Sequence, residues 1–231
     1  MTPSRLDDAE AIARGVLHEG YLLDPYSSAP VESPSRWSLG VLHARGAAGE
    51  ERGERWSARV QCLAAAPRSA RLAVRARFLQ LESSPVKDGP GSAARARDRQ
   101  VDSEPSSVAV LIECPSLRSI AFPGLAGELI VRVEPAPGGF LRVTAELSNL
   151  SSRSVEPLAS AFLSPHLLLG LETGAFVSLT DHPAEAREAA ASCRSDGLRV
   201  SLVGGGPASS LALASPVLTN DEPQLAADAA A

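Results

Sequence analysis

Lysine is almost missing from this chain. Lys87 is the only one, so 21 of the 22 basic residues are arginine. With so much alanine, that bias reads as GC-rich coding rather than a binding device. Aromatic residues are only 4% of the 231 positions, so aliphatic side chains must fill the interior. The hydrophobic content of 44% is enough for a real core. The formal charge of −5 gives no basic surface for nucleic acid or an anionic membrane. No apolar run approaches the ~18 residues of a membrane span. The N-terminal "MTPSRLDDAEAIARGVLHEG" carries Asp7, Asp8 and Glu10 where a signal peptide needs an apolar stretch, so a cytoplasmic protein is expected. Cys62, Cys114 and Cys193 are widely spaced and odd in number, which in a reducing compartment reads as three free thiols.

Recognisable site chemistry is also scarce. His18, His43, His166 and His182 are not paired with another His or Cys at ligand spacing, so no zinc motif is visible. "SLVGGGPASS" lacks the Lys-Ser/Thr of a phosphate-binding loop and reads as a flexible hairpin. There is no G-x-S-x-G elbow and no close carboxylate pair in a defined context. Arg95, Arg97 and Arg99 fall in what reads as a solvated linker. No catalytic residue, metal ligand or cofactor is assigned.

What is present is mostly strand. Ser4 and Asp7 have capping-box spacing, and Leu6, Ala9, Ala13, Val16 and Leu17 follow a helical period, so residues 1–20 hold one short N-terminal helix. After it, apolar residues alternate. Trp37, Leu39 and Val41 share a face, as do Trp56, Ala58, Val60 and Cys62. Leu72, Val74, Ala76 and Phe78 form a third set, with Arg75 and Arg77 pointing the other way. Leu129, Val131 and Val133, then Leu141, Val143, Ala145 and Leu147, continue the pattern. Period-2 alternation marks strands buried on one face, as in antiparallel sheets. "SVAVLIE", "HLLLGLE", "AFVSLT", "LRVSLVG" and "LALASPVL" are further candidates, and about ten short strands with Gly/Pro/Ser turns indicate a sandwich or open barrel. "LETGAF", with Gly174 available for positive φ, and "EPAPGGF" read as hairpin turns.

The fold class that follows is mainly β: an antiparallel β-sandwich spanning 21–222, with the short N-terminal helix before it and a flexible tail at 223–231. The polar, Pro/Gly/Ser-rich stretch 82–107 is expected to be a long flexible middle loop, and 44–55 an irregular connection. Cys62 lies on the apparent core face and reads as a small hydrophobe.

Both tyrosines and one of the two tryptophans fall within "EGYLLDPYSSAPVESPSRWSLGVLH", Glu19 to His43. One reading is helix exit and core packing, with the rings laid on the sheet. The other is a partner-binding patch built from Tyr21, Asp24, Pro25, Tyr26 and Arg36. Two other function classes compete with a protein-interaction module. One is an enzyme using Cys62 or a histidine in a site assembled by the fold. The other is a small-ligand or carbohydrate-binding sandwich, which the apolar strand setting of the tryptophans disfavours.

"EGYLLDPY" followed by "SRWSLGVLH" resembles a family of uncharacterised proteins encoded beside [NiFe]-hydrogenase structural and maturation genes. "VQCL", "VRARFLQLE", "FPGLAGELIV", "LRVTAELSNLSS", "SPHLLLGLETGAFVSL" and "SSLALASPVLTNDEPQLA" continue the likeness in order. Asp24 and Ser27 depart from the tyrosine and arginine usual there, and Leu39 and His43 stand where the family tends to have aromatics. The resemblance implies an accessory role in hydrogenase assembly or maturation, with a hydrogenase subunit or maturation factor as protein partner. It implies no known reaction.

Overall fold

A computed structural model of the chain describes residues 6–7, 40–47, 54–81, 96–204 and 206–216. Among these, strand outweighs helix by 54% to 15%, in two antiparallel sheets. The strands in chain order are β1 (Val41–Leu42), β2 (Ser57–Ala65), β3 (Arg71–Leu81), β4 (Ala96–Asp102), β5 (Ser106–Ser107), β6 (Ser116–Phe122), β7 (Leu125–Pro135), β8 (Leu141–Asn149), β9 (Phe162–Leu171), β10 (Ala175–Val177), β11 (Arg199–Leu202), β12 (Ala208–Ser209) and β13 (Leu211–Ser215). Two short α-helices join them, α1 (Val108–Glu113) and α2 (Arg187–Ser192). One sheet has seven strands in the order β11-β13-β9-β3-β4, with β1 beside β9 and β5 beside β3. The other has six, in the order β12-β10-β2-β8-β7-β6.

The alternating residues meet between the sheets. Ala58, Val60 and Cys62 from β2, Leu72, Val74, Ala76 and Phe78 from β3, Leu129, Val131 and Val133 from β7 and Leu141, Val143, Ala145 and Leu147 from β8 all join one buried cluster. Phe78 and Phe162, on neighbouring strands of one sheet, stack within the cluster at 4.1 Å, and Phe122 from the other sheet meets Phe78 edge-on at 6.2 Å. Each fully buried Leu or Phe contributes about 1.5–3 kcal/mol, so a few aromatics suffice where aliphatic residues are dense. Gly127 permits the close approach of β7 to this cluster. A Cβ there would lie 2.4 Å from the Ser148 carbonyl oxygen and 2.8 Å from Phe162.

Four sequence readings need correction. "SVAVLIE" is not a strand. Ser107 caps α1 by accepting from the Val110 N–H, Val108 and Leu111 bury one face at i, i+3 spacing, and Val110 is 54% exposed, against the period-2 reading. Pro115 follows the extended C-cap Cys114 and stops the helix there. The end of the stretch expected to be a flexible loop is ordered as β4, paired with β3 from Arg75↔Asp102 to Leu81↔Ala96. Its only buried residue is Val101, so it carries no visible apolar period. β3, expected to be buried on one face only, is buried on both: Arg75 and Arg77 point away from the core, as expected, yet are themselves buried. Lastly, Gly174 has the positive φ foreseen, +93°, yet "LETGAF" passes from β9 in one sheet to β10 in the other and is not a ladder hairpin. The "EPAPGGF" hairpin does join paired strands, β7 and β8.

Within 1–20 only Leu6 and Asp7 are described, and both are helical. The remainder of that helix, Trp37, Leu39 and the 223–231 tail lie outside the described residues.

Candidate interaction surface

The residues singled out from the sequence as a partner-binding patch, Tyr21, Asp24, Pro25, Tyr26 and Arg36, lie outside the described residues. Elsewhere the two outer faces of the sandwich differ sharply, and the difference decides where a partner can reach.

The outer face of the seven-stranded sheet is covered. Leu6 packs with Ala73, Leu168 and Leu213, while Val41 packs with Leu79, Ala161 and Leu163. Between these apolar groups runs a charged seam. Arg75 Nε lies 2.8 Å from Asp102 Oδ1, and a terminal guanidinium nitrogen of Arg75 lies 2.7 Å from Asp7 Oδ1. Arg77 pairs with Asp98, and His166 sits opposite Arg77 in the β3–β9 ladder. A bulge next to that pair puts Ser164 at φ +47°, and its carbonyl accepts from His166 Nδ1 at 3.1 Å. A carbonyl can only accept, so Nδ1 carries a proton. Burial pushes its pKa down to about 4, and the Arg77 charge adds to that push. Nε2 is enclosed with no hydrogen-bond partner among the described residues. Arg77 and His166 are 2% and 1% exposed, which leaves a substrate no access to either. The seam ties β3 to its neighbours and to the N-terminal segment.

Cys62 and Cys193 give no better site for chemistry. Cys62 is fully enclosed and burial pushes its thiol far up, away from the thiolate a nucleophile needs. Cys193 is partly buried, and its thiol is also raised, because burial outweighs the nearby Arg142 and Arg194 charges. Trp56, the tryptophan within the described residues, is half-buried and has one ring face occupied. The Arg45 guanidinium covers its ring at 4.6 Å. No group of three His, Cys, Asp or Glu among the described residues is arranged to hold a metal ion. No helix among them is long and apolar enough to cross a membrane.

Among the described residues, the outer face of the six-stranded sheet is covered at one end only. There α2 lays Ala186, Ala189 and Ala190 over Leu63 and Val177. Arg59 and Asp196 exchange backbone N–H···O bonds at 2.7 Å, which closes the margin of β2 beyond β10. The other end is open. Leu117, Ile130, Glu146 and Arg59 face one another in a row across β6, β7, β8 and β2. This row runs from apolar at the β6 edge to charged at the centre. Leu117 is 59% exposed. A second row, Gln61 and Thr144, is tied by a 3.2 Å hydrogen bond, with Arg132 opposite Thr144.

The sequence reading missed β6. Its signal was the Pro123–Gly124 pair between "SLRSIAF" and "LAGELIVRVEP", a turn dipeptide joining two alternating runs. Gly124 adopts φ +77° in that turn. Leu117, Ser119 and Ala121 alternate there with Ile120 and Phe122, but Arg118 and two serines weaken the run. Comparison with protein-family models and with curated proteins finds no match.

Proposed function

We propose that this chain is a cytoplasmic protein-interaction module that uses the open end of the six-stranded sheet, and that it serves as an accessory factor in [NiFe]-hydrogenase assembly or maturation. The observation that carries the first half is the asymmetry of the sandwich. One outer face is buried over an ion-pair seam, while the other leaves Leu117 59% exposed beside Ile130 at an edge that no described residue covers. Exposed apolar side chains rimmed by charge are the usual make-up of a docking patch. The hydrogenase half rests on the ordered resemblance running from "EGYLLDPY" to "SSLALASPVLTNDEPQLA". On this reading the segment holding Tyr21, Asp24, Pro25, Tyr26 and Arg36 contributes a second contact to the same partner.

The test is affinity capture of the full chain expressed in its native host, with mass-spectrometric quantification of hydrogenase subunits and maturation factors. The reading expects at least one of them to be enriched and expects Leu117→Glu to reduce that enrichment. Absence of every hydrogenase protein from the wild-type capture would remove the accessory-factor reading.

A further inference from the structure

The edges of the two sheets are protected unequally. β4, at one edge of the seven-stranded sheet, carries Arg97, Asp98, Arg99 and Asp102 within its 7 residues. Charge of that density is a common guard against unwanted strand pairing. β11, at the opposite edge, is 4 residues long and β12 only 2. β6 is different. It is 7 residues long, carries the single charge Arg118, and pairs only with β7 among the described residues.

The two-residue turn at Pro123–Gly124 makes Phe122 and Leu125 the pair that bonds across the hairpin. By the alternation of an antiparallel ladder, Phe122, Ile120, Arg118 and Ser116 then turn their backbone groups toward β7. The N–H and C=O groups of Leu117, Ser119 and Ala121 point to the open side. On the outer face Leu117 is exposed beside Ile130. On the other face Arg118 is exposed and makes no ion pair among the described residues.

Resting on the interaction-module reading above, we infer that the β6 edge receives an extended segment of a protein partner as an added strand. That segment carries an acidic side chain beside Arg118 and apolar side chains beside Leu117 and Ala121. Main-chain bonds to an exposed edge supply affinity, and the alternating side chains supply selection. A second copy of this chain is a poorer occupant. Antiparallel self-pairing centred on Ser119 sets the two Arg118 side chains on one face as diagonal neighbours, about 7–8 Å apart, which like charges disfavour.

Two blocked peptides probe the edge, Val-Thr-Val-Glu-Val-Thr-Val and its counterpart with lysine in place of glutamate. Each is titrated into the full chain while backbone amide resonances and amide exchange are followed by NMR. Slowed exchange at Leu117, Ser119 and Ala121 is expected. The glutamate peptide should bind about two- to fivefold more tightly than the lysine peptide, the range for one exposed ion pair. Arg118→Glu should invert that preference. Ser119→Pro should abolish binding without unfolding the chain, because the N–H it removes faces the open side rather than β7. Four outcomes overturn the inference: no protection at β6, protection elsewhere, equal affinity for the two charges, or dimerisation that Ser119→Pro abolishes. Host capture separates this inference from the parent reading. Capture of hydrogenase proteins that Ser119→Pro leaves intact defeats strand addition alone, while peptide binding without any such capture defeats the hydrogenase assignment alone.

Discussion

Leu117 and Ile130 stand directly opposite each other on the outer face of the six-stranded sheet, Leu117 at its last strand and largely exposed. Neither belongs to the buried clusters that hold the sheets together. Leu117→Glu is therefore expected to leave the unfolding free energy within about 0.5 kcal/mol of wild type, the usual range for a surface change. A chemical-denaturation midpoint checks this. A loss above about 2 kcal/mol would mean that Leu117 is structural.

Asn149 is fully buried and fully used. Its Nδ2 donates to the carbonyls of Leu42 and Ser160, both at 2.8 Å, and its Oδ1 accepts from Ser151 N–H at 3.0 Å. It fastens the end of β8 to β1 and to the turn before β9. Asn149→Ala strands buried backbone groups, each worth about 1–3 kcal/mol. A melting temperature lowered by several degrees is expected, whereas an unchanged one would show that water replaces the amide.

Gly127→Ala tests the packing of β7. The added methyl would sit 2.4 Å from a backbone oxygen and 2.8 Å from Phe162, itself stacked on Phe78. The backbone cannot yield as a flexible side chain would. Destabilisation of about 1–3 kcal/mol is expected, measurable by urea unfolding. A neutral result would contradict the close approach.

His166 gives the fold a defined pH response. Its pKa in the fold is about 4, against 6.5 for a free imidazole. A depressed histidine favours the neutral form, so its contribution is complete above about pH 6.5 and is lost as pH falls toward 4, at up to about 1.4 kcal/mol per unit. Wild type should thus lose more stability than His166→Gln over that window. Parallel stability profiles for the two proteins would contradict the buried, neutral assignment.

The thiols should label in the order of their exposure. Cys114 is exposed, Cys193 intermediate and Cys62 buried. A maleimide at neutral pH should modify Cys114 first and Cys62 only after denaturation, read by intact-mass spectrometry. Fast native labelling of Cys62 would revive the enzyme reading.

The core was legible where long strands alternate, as β2 and β8 do, whereas β9 carries Leu167, Leu168 and Leu169 in succession and is buried on both faces. Ala58, Val60 and Cys62, or Leu141, Val143, Ala145 and Leu147, announce their inward face without help from tertiary structure. The edges were not legible. β4 is polar at most positions because its partners are Arg75 and Arg77 on β3, and that match exists only once the strands pair. α1 was misread because Val108, Val110 and Ile112 mimic a strand period, while the deciding features are the Ser107 cap and Pro115. The open surface could not be read at all. An exposed Leu117 and a buried Leu72 look the same in a sequence, and only the order of strands separates them.

The most direct test of the interaction-module account is host capture with the full chain, comparing wild type, Leu117→Glu and Arg59→Glu, the last at the opposite end of the Leu117–Ile130–Glu146–Arg59 row. The account expects a hydrogenase subunit or maturation factor with wild type, strong loss of it with Leu117→Glu, and a smaller loss with Arg59→Glu, all three proteins melting alike. Equal capture by all three, or none by wild type, would contradict it.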